Sequence, residues 1–237
     1  MLILASNSPR RKQLMTLAGW DFAVVPAQID EAVLPGELPA AYVLRLARAK
    51  ASAAREKMAV AQDGDLVVAA DTAVVDAHTQ ADGKTRFTIL GKPADAAQAE
   101  DMLRSLRGRM HQVYTAVAVS PVRADEQAPV KMVSEVSVSD VYMREYSDQE
   151  LLVYIASGDP MDKAGAYAIQ HPGFRPVERL EGCYANVMGL PLCSLARLLA
   201  LFGVPAQSDI FQACQQAFGI LCPITGQALD GTGIAPL

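Results

Sequence analysis

The chain has 237 residues, 51% of them hydrophobic and 20% charged. That composition excludes a disordered chain or a disulfide-stapled miniprotein, and the length is enough to bury a core without staples. Lys and Arg number 21 against 26 Asp and Glu, a net charge of −5, which argues against a coat for nucleic acid or anionic membrane while leaving room for a local basic pocket.

The chain opens on an apolar run over residues 2–5, too short for a secretory signal and without a basic stretch before it. Ser8 followed by Pro9 reads as a helix N-cap with proline at the first helical position, so the expected order is strand, tight loop, helix. Leu14, Leu17 and Ala18 give that helix an apolar face and Gly19 a stop. A second strand is expected over 22–25, then a loop carrying Asp30 and Glu31. Over 39–58, Val43, Ala47, Ala51, Ala54 and Met58 recur at helical spacing, and Lys50 falls inside their stripe. Two readings of Lys50 stand: its stem snorkels to the helix edge, or its ammonium meets an anion in a cleft.

Residues 66–75 are the strongest strand, apolar save for Asp71 and Thr72. Asp82-Gly83 signals a turn and a hairpin that ends near Ile89 and Leu90. A helix is expected over 94–107, with Ala99, Met102, Leu103 and Leu106 as its core face, and then strands over 112–119 and 130–142. Ser147 and Glu150 have capping-box spacing ahead of a helix closed by Gly158-Asp159-Pro160. A short strand over 166–170, a helix over 192–202 and a last helix from Ser208 to Phe218 complete the reading, with a peripheral tail beyond. No apolar run approaches the roughly 20 residues of a membrane span. The four cysteines, Cys183, Cys193, Cys214 and Cys222, lack C-x-x-C spacing and read as reduced, packed thiols; His78, His111 and His171 lack zinc-ligand spacing. Strands alternating with helices, without linker or repeat, predict one α/β unit.

Several familiar sites are excluded. Gly83-Lys84-Thr85 looks like the end of a phosphate-binding P-loop, but His78 stands where the first glycine is required. No G-x-G-x-x-G opens a helix and no G-x-S-x-G elbow occurs. What remains begins with Ser6-Asn7-Ser8-Pro9-Arg10-Arg11, where hydroxyls, arginines and a helix N-terminus meet at a strand end, as a phosphate chain needs; a capped surface helix with solvated arginines is the bland alternative. Asp71 in its apolar strand must be paired, bound to metal or tied to a neighbouring loop, since an isolated buried carboxylate costs several kcal/mol. Asp30, Glu31 and Asp162 could add oxygen ligands for Mg²⁺. Gly91-Lys92-Pro93 presents a lysine between rigid residues, and residues 162–170 are a small-residue segment that a flat ligand could approach closely. Together these groups suit a nucleoside triphosphate with a divalent metal.

In this order, Ala5-Ser6-Asn7-Ser8-Pro9-Arg10-Arg11, Asp30-Glu31, Leu46-Ala47-Arg48-Ala49-Lys50-Ala51, Ala70-Asp71-Thr72, Leu90-Gly91-Lys92-Pro93, residues 162–170 and residues 182–192 resemble the Maf family of nucleotide pyrophosphatases across nearly the whole chain. The resemblance implies hydrolysis of a nucleoside triphosphate between its α and β phosphates by a cytoplasmic homodimer. It implies an α/β fold similar to ITP-type pyrophosphatases: a twisted mixed sheet with flanking helices and two lobes around a nucleotide cleft. The family-like domain would span 1–205, with 206–237 an extension of no assigned role. By position, Asp71 resembles the catalytic proton acceptor. Glu31 and Asp71 would hold the divalent cation, Mg²⁺ or Mn²⁺, and orient water. Ser6, Arg11, Lys50 and Lys92 would neutralise the triphosphate, Lys50 from within the catalytic group. Arg10, Thr72 and Gln170 match positions that sort branches by base, and Thr72 with Gln170 resembles the dTTP/UTP branch rather than the one associated with 7-methyl-GTP. A glutamine amide also complements the N3–H and carbonyls of a pyrimidine. The alternatives are a 7-methyl-GTP pyrophosphatase of the same family and a nucleotide-binding regulator of septum formation without catalysis. Ala168, Asp159 and Ala116 depart from the family pattern without removing a proposed catalytic group. No nucleic acid polymer or membrane is expected as a partner.

Overall fold

Alternation along one strand decides how the layers form. In the computed structural model, which describes residues 1–58, 62–79, 83, 85–123, 131–206 and 208–220, β3 (Leu66–Thr79) runs through the middle of a seven-stranded mixed sheet. β1 (Leu2–Leu4) pairs parallel with it and carries β2 (Phe22–Val24) on its outer side. On the other flank β5 (Met110–Pro121), β6 (Val133–Met143) and β7 (Val177–Glu181) follow in antiparallel order. Successive side chains of a strand point to opposite faces. Accordingly Val67, Ala69, Ala73 and Val75 pack under α2 (Pro39–Glu56). Leu66, Val68 and Ala70 join the core beneath α1 (Pro9–Leu17), α5 (Tyr184–Met188), α6 (Leu192–Ala200) and α7 (Ile210–Phe218). Val74, on that second face, belongs to a third core under α3 (Ala96–Leu106) and α4 (Asp148–Ala156). Two helical packs therefore share one face of the sheet, and Thr72 lies where they part.

The edge of β3 that faces β1 is paired at both ends and open in the middle. β1 covers Leu66 to Val68, with one further bond from the Ala5 N–H to the Val68 carbonyl at 2.8 Å. β4 (Thr85–Leu90) folds back on the same edge but reaches only from Thr79 to Val74. Between them Asp71 and Thr72 face a gap in the sheet, an opening that ligands in α/β folds commonly use.

Most expected elements are present, and the differences have local causes. The strand expected over 166–170 is absent: 3₁₀ turns at Asp159–Asp162 and Ala164–Ala166 lead into it, and Gly165 and Ala166 both adopt positive φ, +68° and +59°, outside the extended region. The last helix is capped by Asp209, whose carboxylate accepts from the Gln212 N–H, and not by Ser208. Ser8 does stand at the N-cap of α1, but its side chain makes no capping bond; its N–H donates instead to Ser6 Oγ at 3.2 Å. The capping box of Ser147 and Glu150 forms as expected. β7 and α5 carry too few residues for a periodicity to be read from sequence.

α7 packs on the first core through Ile210, Cys214 and Phe218, and Phe218 stacks on Tyr184 with ring centroids 4.7 Å apart. Cys183 and Cys193 pack there too. Asp82 of the expected turn, Lys84, Cys222 and the tail from 221 onward lie outside the described residues. Among those described, no helix is long and apolar enough to cross a membrane.

Candidate active site

Chain direction brings the dispersed motifs to the gap in the sheet. The end of β1 delivers Ser6 to Arg11 on one side of the opening, the end of β4 delivers Gly91-Lys92-Pro93 on the other, and β3 supplies Asp71 and Thr72 as its floor. α2 adds Lys50 from the opposite face, and the loop before α2 adds Glu31. The resulting cleft encloses about 460 Å³ and is lined by all nine sequence-predicted residues: Ser6, Arg10, Arg11, Glu31, Lys50, Asp71, Thr72, Lys92 and Gln170. That volume lies within the range of small-ligand sites.

At its floor, the Lys50 ammonium bridges two carboxylates, with Nζ 2.6 Å from Asp71 Oδ1 and 2.6 Å from Glu31 Oε1. Lys50 is 9% exposed and Asp71 5%, so of the two readings the lysine does not snorkel to the helix edge and does meet an anion in the cleft. It meets the protein's own carboxylates in the cleft. Burial raises the pKa of Asp71 above the usual aspartate value, even though Lys50 and Arg11 both pull it down. Glu31 goes the other way: burial raises it, but the hydrogen bond and charge of Lys50, with Lys92 and Arg11, carry it below the usual glutamate value. Two neighbouring carboxylates are thus driven in opposite directions, the arrangement that separates a proton acceptor from a permanently charged group.

The Glu31 loop is strapped to α2. Tyr42 Oη donates to the Glu31 carbonyl at 3.0 Å, and Arg45 reaches the Ala32 carbonyl at 2.9 Å while gripping Glu37 with two bonds. Asp30 is spent on this turn, accepting from the Ala32 N–H at 2.9 Å, and Asp162 is paired with Lys163 at 2.6 Å. Asp30 thus closes a turn, while Asp162 lines the cleft beside its lysine partner. Glu31 and Asp71, two hard oxygen donors that converge on the Lys50 ammonium, each keep a second carboxylate oxygen. That donor set fits Mg²⁺ or Mn²⁺ provided that phosphate oxygens and water complete the shell. No cluster of three or more His, Cys, Asp or Glu forms among the described residues.

Arg11 forms the opposite wall. Its Nε donates to the Gly189 carbonyl at 2.9 Å, Nη1 to Ser6 Oγ at 3.3 Å and Nη2 to Thr72 Oγ1 at 3.2 Å. Burial lowers its pKa, a shift partly offset by Asp71, yet a guanidinium stays charged at any working pH. Gly189 has φ of +104°, and a Cβ there would lie 3.1 Å from Thr72 Oγ1 and 3.4 Å from Arg11 Nε. Only glycine lets the backbone approach this closely. Gly189 and the Tyr42–Arg45 strap were not singled out in the sequence: Gly189 acts through a carbonyl, and the strap through residues that read as ordinary helix surface.

The remaining wall is the segment around 163–170. Lys163 is pinned by the Asp159 carbonyl at 2.6 Å and the Asp159 carboxylate at 3.0 Å, as well as by Asp162. Tyr167 is anchored from behind by His111, whose Nε2 lies 2.8 Å from the phenol oxygen. Burial pushes the His111 pKa down to about 3, with Arg109 adding to the effect, so the ring is neutral. The Gly165 N–H donates to the Gly91 carbonyl at 3.0 Å, which ties this wall to the Lys92 loop. A Cβ at Gly165 would fall 2.8 Å from Val74 Cγ1 at a φ of +68°. Gly165→Ala is expected to cost about 2–4 kcal/mol through strain and overpacking, seen as a Tm drop of roughly 5–15 °C in thermal unfolding.

A family model described as "Maf-like protein" matches residues 1–202. A dTTP/UTP pyrophosphatase of Anaeromyxobacter dehalogenans is 45% identical over 204 residues, 86% of this chain and 95% of its own. One from Hahella chejuensis is 45% identical over 208 residues, 88% and 95% of the two chains. One from Thermomicrobium roseum is 42% identical over 227 residues, 94% and 93%. Among solved structures, a HAM1 protein from Coxiella burnetii is 17% identical with a TM-score of 0.38, covering 73% of this chain and 91% of its own, too distant a likeness to bear on fold or function. The matched span reaches from the first strand of the sheet through α6 and takes in every residue that lines the cleft; the chain belongs to the Maf-like protein family.

Proposed function

We propose that this protein hydrolyses dTTP and UTP to the nucleoside monophosphate and pyrophosphate. The observation that carries the reading is the cleft floor, where a carboxylate held on the central strand and raised in pKa by burial shares one opening with Lys50, Arg11 and Lys92. Relatives bearing that activity in their names, 42–45% identical over most of the chain, supply the substrate class.

In the proposed reaction Asp71 accepts a proton from water as the water oxygen bonds to the α-phosphorus. The bond from that phosphorus to the α,β-bridging oxygen breaks, and its electron pair leaves with pyrophosphate. Arg11, Lys50, Lys92 and the Ser6 hydroxyl offset the charge that builds on the departing group, so catalysis rests on positioning and electrostatics. A divalent cation held by Glu31 and Asp71 would screen the phosphate oxygens and lower the cost of bringing the anion to a carboxylate. Gln170, in the cleft lining, offers a donor and an acceptor to a pyrimidine edge, and a base without that pattern leaves the amide unpaired. A cytoplasmic homodimer completes the reading.

A pyrophosphate-release assay over dTTP, UTP, CTP, GTP and 7-methyl-GTP with Mg²⁺ or Mn²⁺ tests it. The expected outcome is metal-dependent release of pyrophosphate, not orthophosphate, with kcat/KM for dTTP and UTP at least tenfold above the purine nucleotides. A preference for 7-methyl-GTP overturns the assignment of the base, and tight nucleotide binding without release overturns the assignment of catalysis.

A further inference from the structure

Behind the cleft, and absent from its lining, Thr115 is a fully buried polar residue. It pairs directly across the β3–β5 ladder with Thr72, and the two hydroxyl oxygens lie 3.0 Å apart. The direction of that bond follows from counting protons. Thr115 spends its single hydroxyl proton on the Asn186 carbonyl at 2.9 Å, so it can only accept from Thr72. The Thr72 proton is then committed, and the Thr72 oxygen accepts from Arg11 Nη2 at 3.2 Å. The chain runs one way: Arg11 to Thr72 to Thr115 to the Asn186 carbonyl.

The terminus of this chain is itself fixed. The Asn186 side chain is fully buried and donates to the Val113 carbonyl at 3.0 Å and to Ser139 Oγ at 2.8 Å. The Asn186 carbonyl also accepts from the Gly189 N–H at 2.9 Å, and three residues along the same loop the Gly189 carbonyl holds Arg11 Nε. One turn of backbone therefore clamps Arg11 twice, once directly and once through two threonines.

We propose that Thr115 is a positioning residue for the phosphate site: by orienting the Thr72 hydroxyl it fixes the plane of the Arg11 guanidinium, which leaves the unspent N–H groups of Arg11 aimed at the triphosphate. Thr72 on this account acts through Arg11 and not on the base. The inference rests on the proposed triphosphate chemistry of the cleft. A planar guanidinium recognises phosphate through paired N–H groups, so a loss of orientation costs affinity even when the charge is unchanged.

Thr115→Val keeps the shape and removes the hydroxyl. Two readouts separate this inference from the reaction itself: dTTP hydrolysis, and binding of inorganic triphosphate by calorimetry, which needs no turnover. The expected result is about a tenfold weaker Kd for inorganic triphosphate and a matching rise in KM for dTTP, with kcat within about threefold of the parent. Thr115→Ser, which retains the hydroxyl, should restore affinity to within about threefold. In an Arg11→Ala background Thr115→Val should change Kd less than twofold, since there is no guanidinium left to orient. A Thr115→Val protein with parental Kd overturns the proposal, as does a full tenfold loss that persists without Arg11. If Thr115→Val does not fold, Thr115→Ala in both backgrounds decides by the same criterion. An absence of dTTP turnover in the parent would overturn the proposed reaction and leave the calorimetric cycle to judge Thr115.

Discussion

Asp71→Asn is expected to lower kcat for dTTP about 10²–10⁴-fold while the protein keeps its fold. The size follows from losing a proton acceptor held rigidly at the reacting centre. Retention of the fold follows from the sign of the pKa shift. Burial raises the Asp71 pKa relative to the unfolded chain, so the native state holds the proton more tightly. The ionised side chain then costs stability that is lost as pH rises from the unfolded value, about 3.9, through the folded one. At neutral pH asparagine removes that cost, and Lys50 keeps Glu31 as a partner at 2.6 Å. Tm should therefore hold within about 5 °C. The same shift sets the acidic limb of the rate profile: the acceptor must be ionised, so activity falls as pH drops through a value raised above that of an ordinary aspartate. Initial rates of pyrophosphate release across pH, beside thermal unfolding, check both parts. An asparagine variant that turns over dTTP at the parental rate would remove Asp71 from the reaction.

Lys50→Met is expected to have the next largest effect, a loss of roughly 10²–10³-fold in kcat/KM at pH 7. Lys50 is the shared partner of Asp71 and Glu31. Methionine has a side chain of similar length but leaves two carboxylates without the cation between them. Like charges at close range favour the protonated form. The Asp71 pKa loses the downward pull of the lysine, the second-largest influence on it after burial, and must rise further. The acidic limb should therefore move toward neutral pH, and part of the lost activity should return at alkaline pH. A uniform loss at every pH, with an unmoved limb, would mean that Lys50 serves the triphosphate alone and does not tune the acceptor. A raised divalent-metal concentration should also recover some activity in this variant, because a cation can take the place vacated between the carboxylates.

Much of this protein was legible in its sequence, because periodicity and spacing are local. The apolar stripe over α2, with Lys50 inside it, and the lone Asp71 and Thr72 in β3 were visible as departures from a pattern. All nine candidates carried by the family-like strings line the cleft. The local rules failed where a neighbour in space decided the outcome. Residues 166–170 have strand-like composition, yet Gly165 must turn back to reach the Gly91 carbonyl, and the strand is lost. Asp209, and not Ser208, stands directly before the first helical residue, Ile210, and its carboxylate takes the free N–H of Gln212. Asp30 and Asp162 resembled metal ligands but close a turn and pair with Lys163.

The sequence by itself determined which residue types carry the chemistry and which face of each element is buried, since both follow from side-chain character repeated at the period of a helix or strand. Only the tertiary structure decided that β1 stops at Leu4 and β4 stops opposite Val74, leaving the edge of β3 away from β5 open at Asp71 and Thr72. It alone decided that Lys50 joins two carboxylates and that Arg11 is clamped by a loop 178 residues away. A gap in a sheet and a bond between distant residues are set by strand lengths and pairing partners, which no window of neighbouring residues contains.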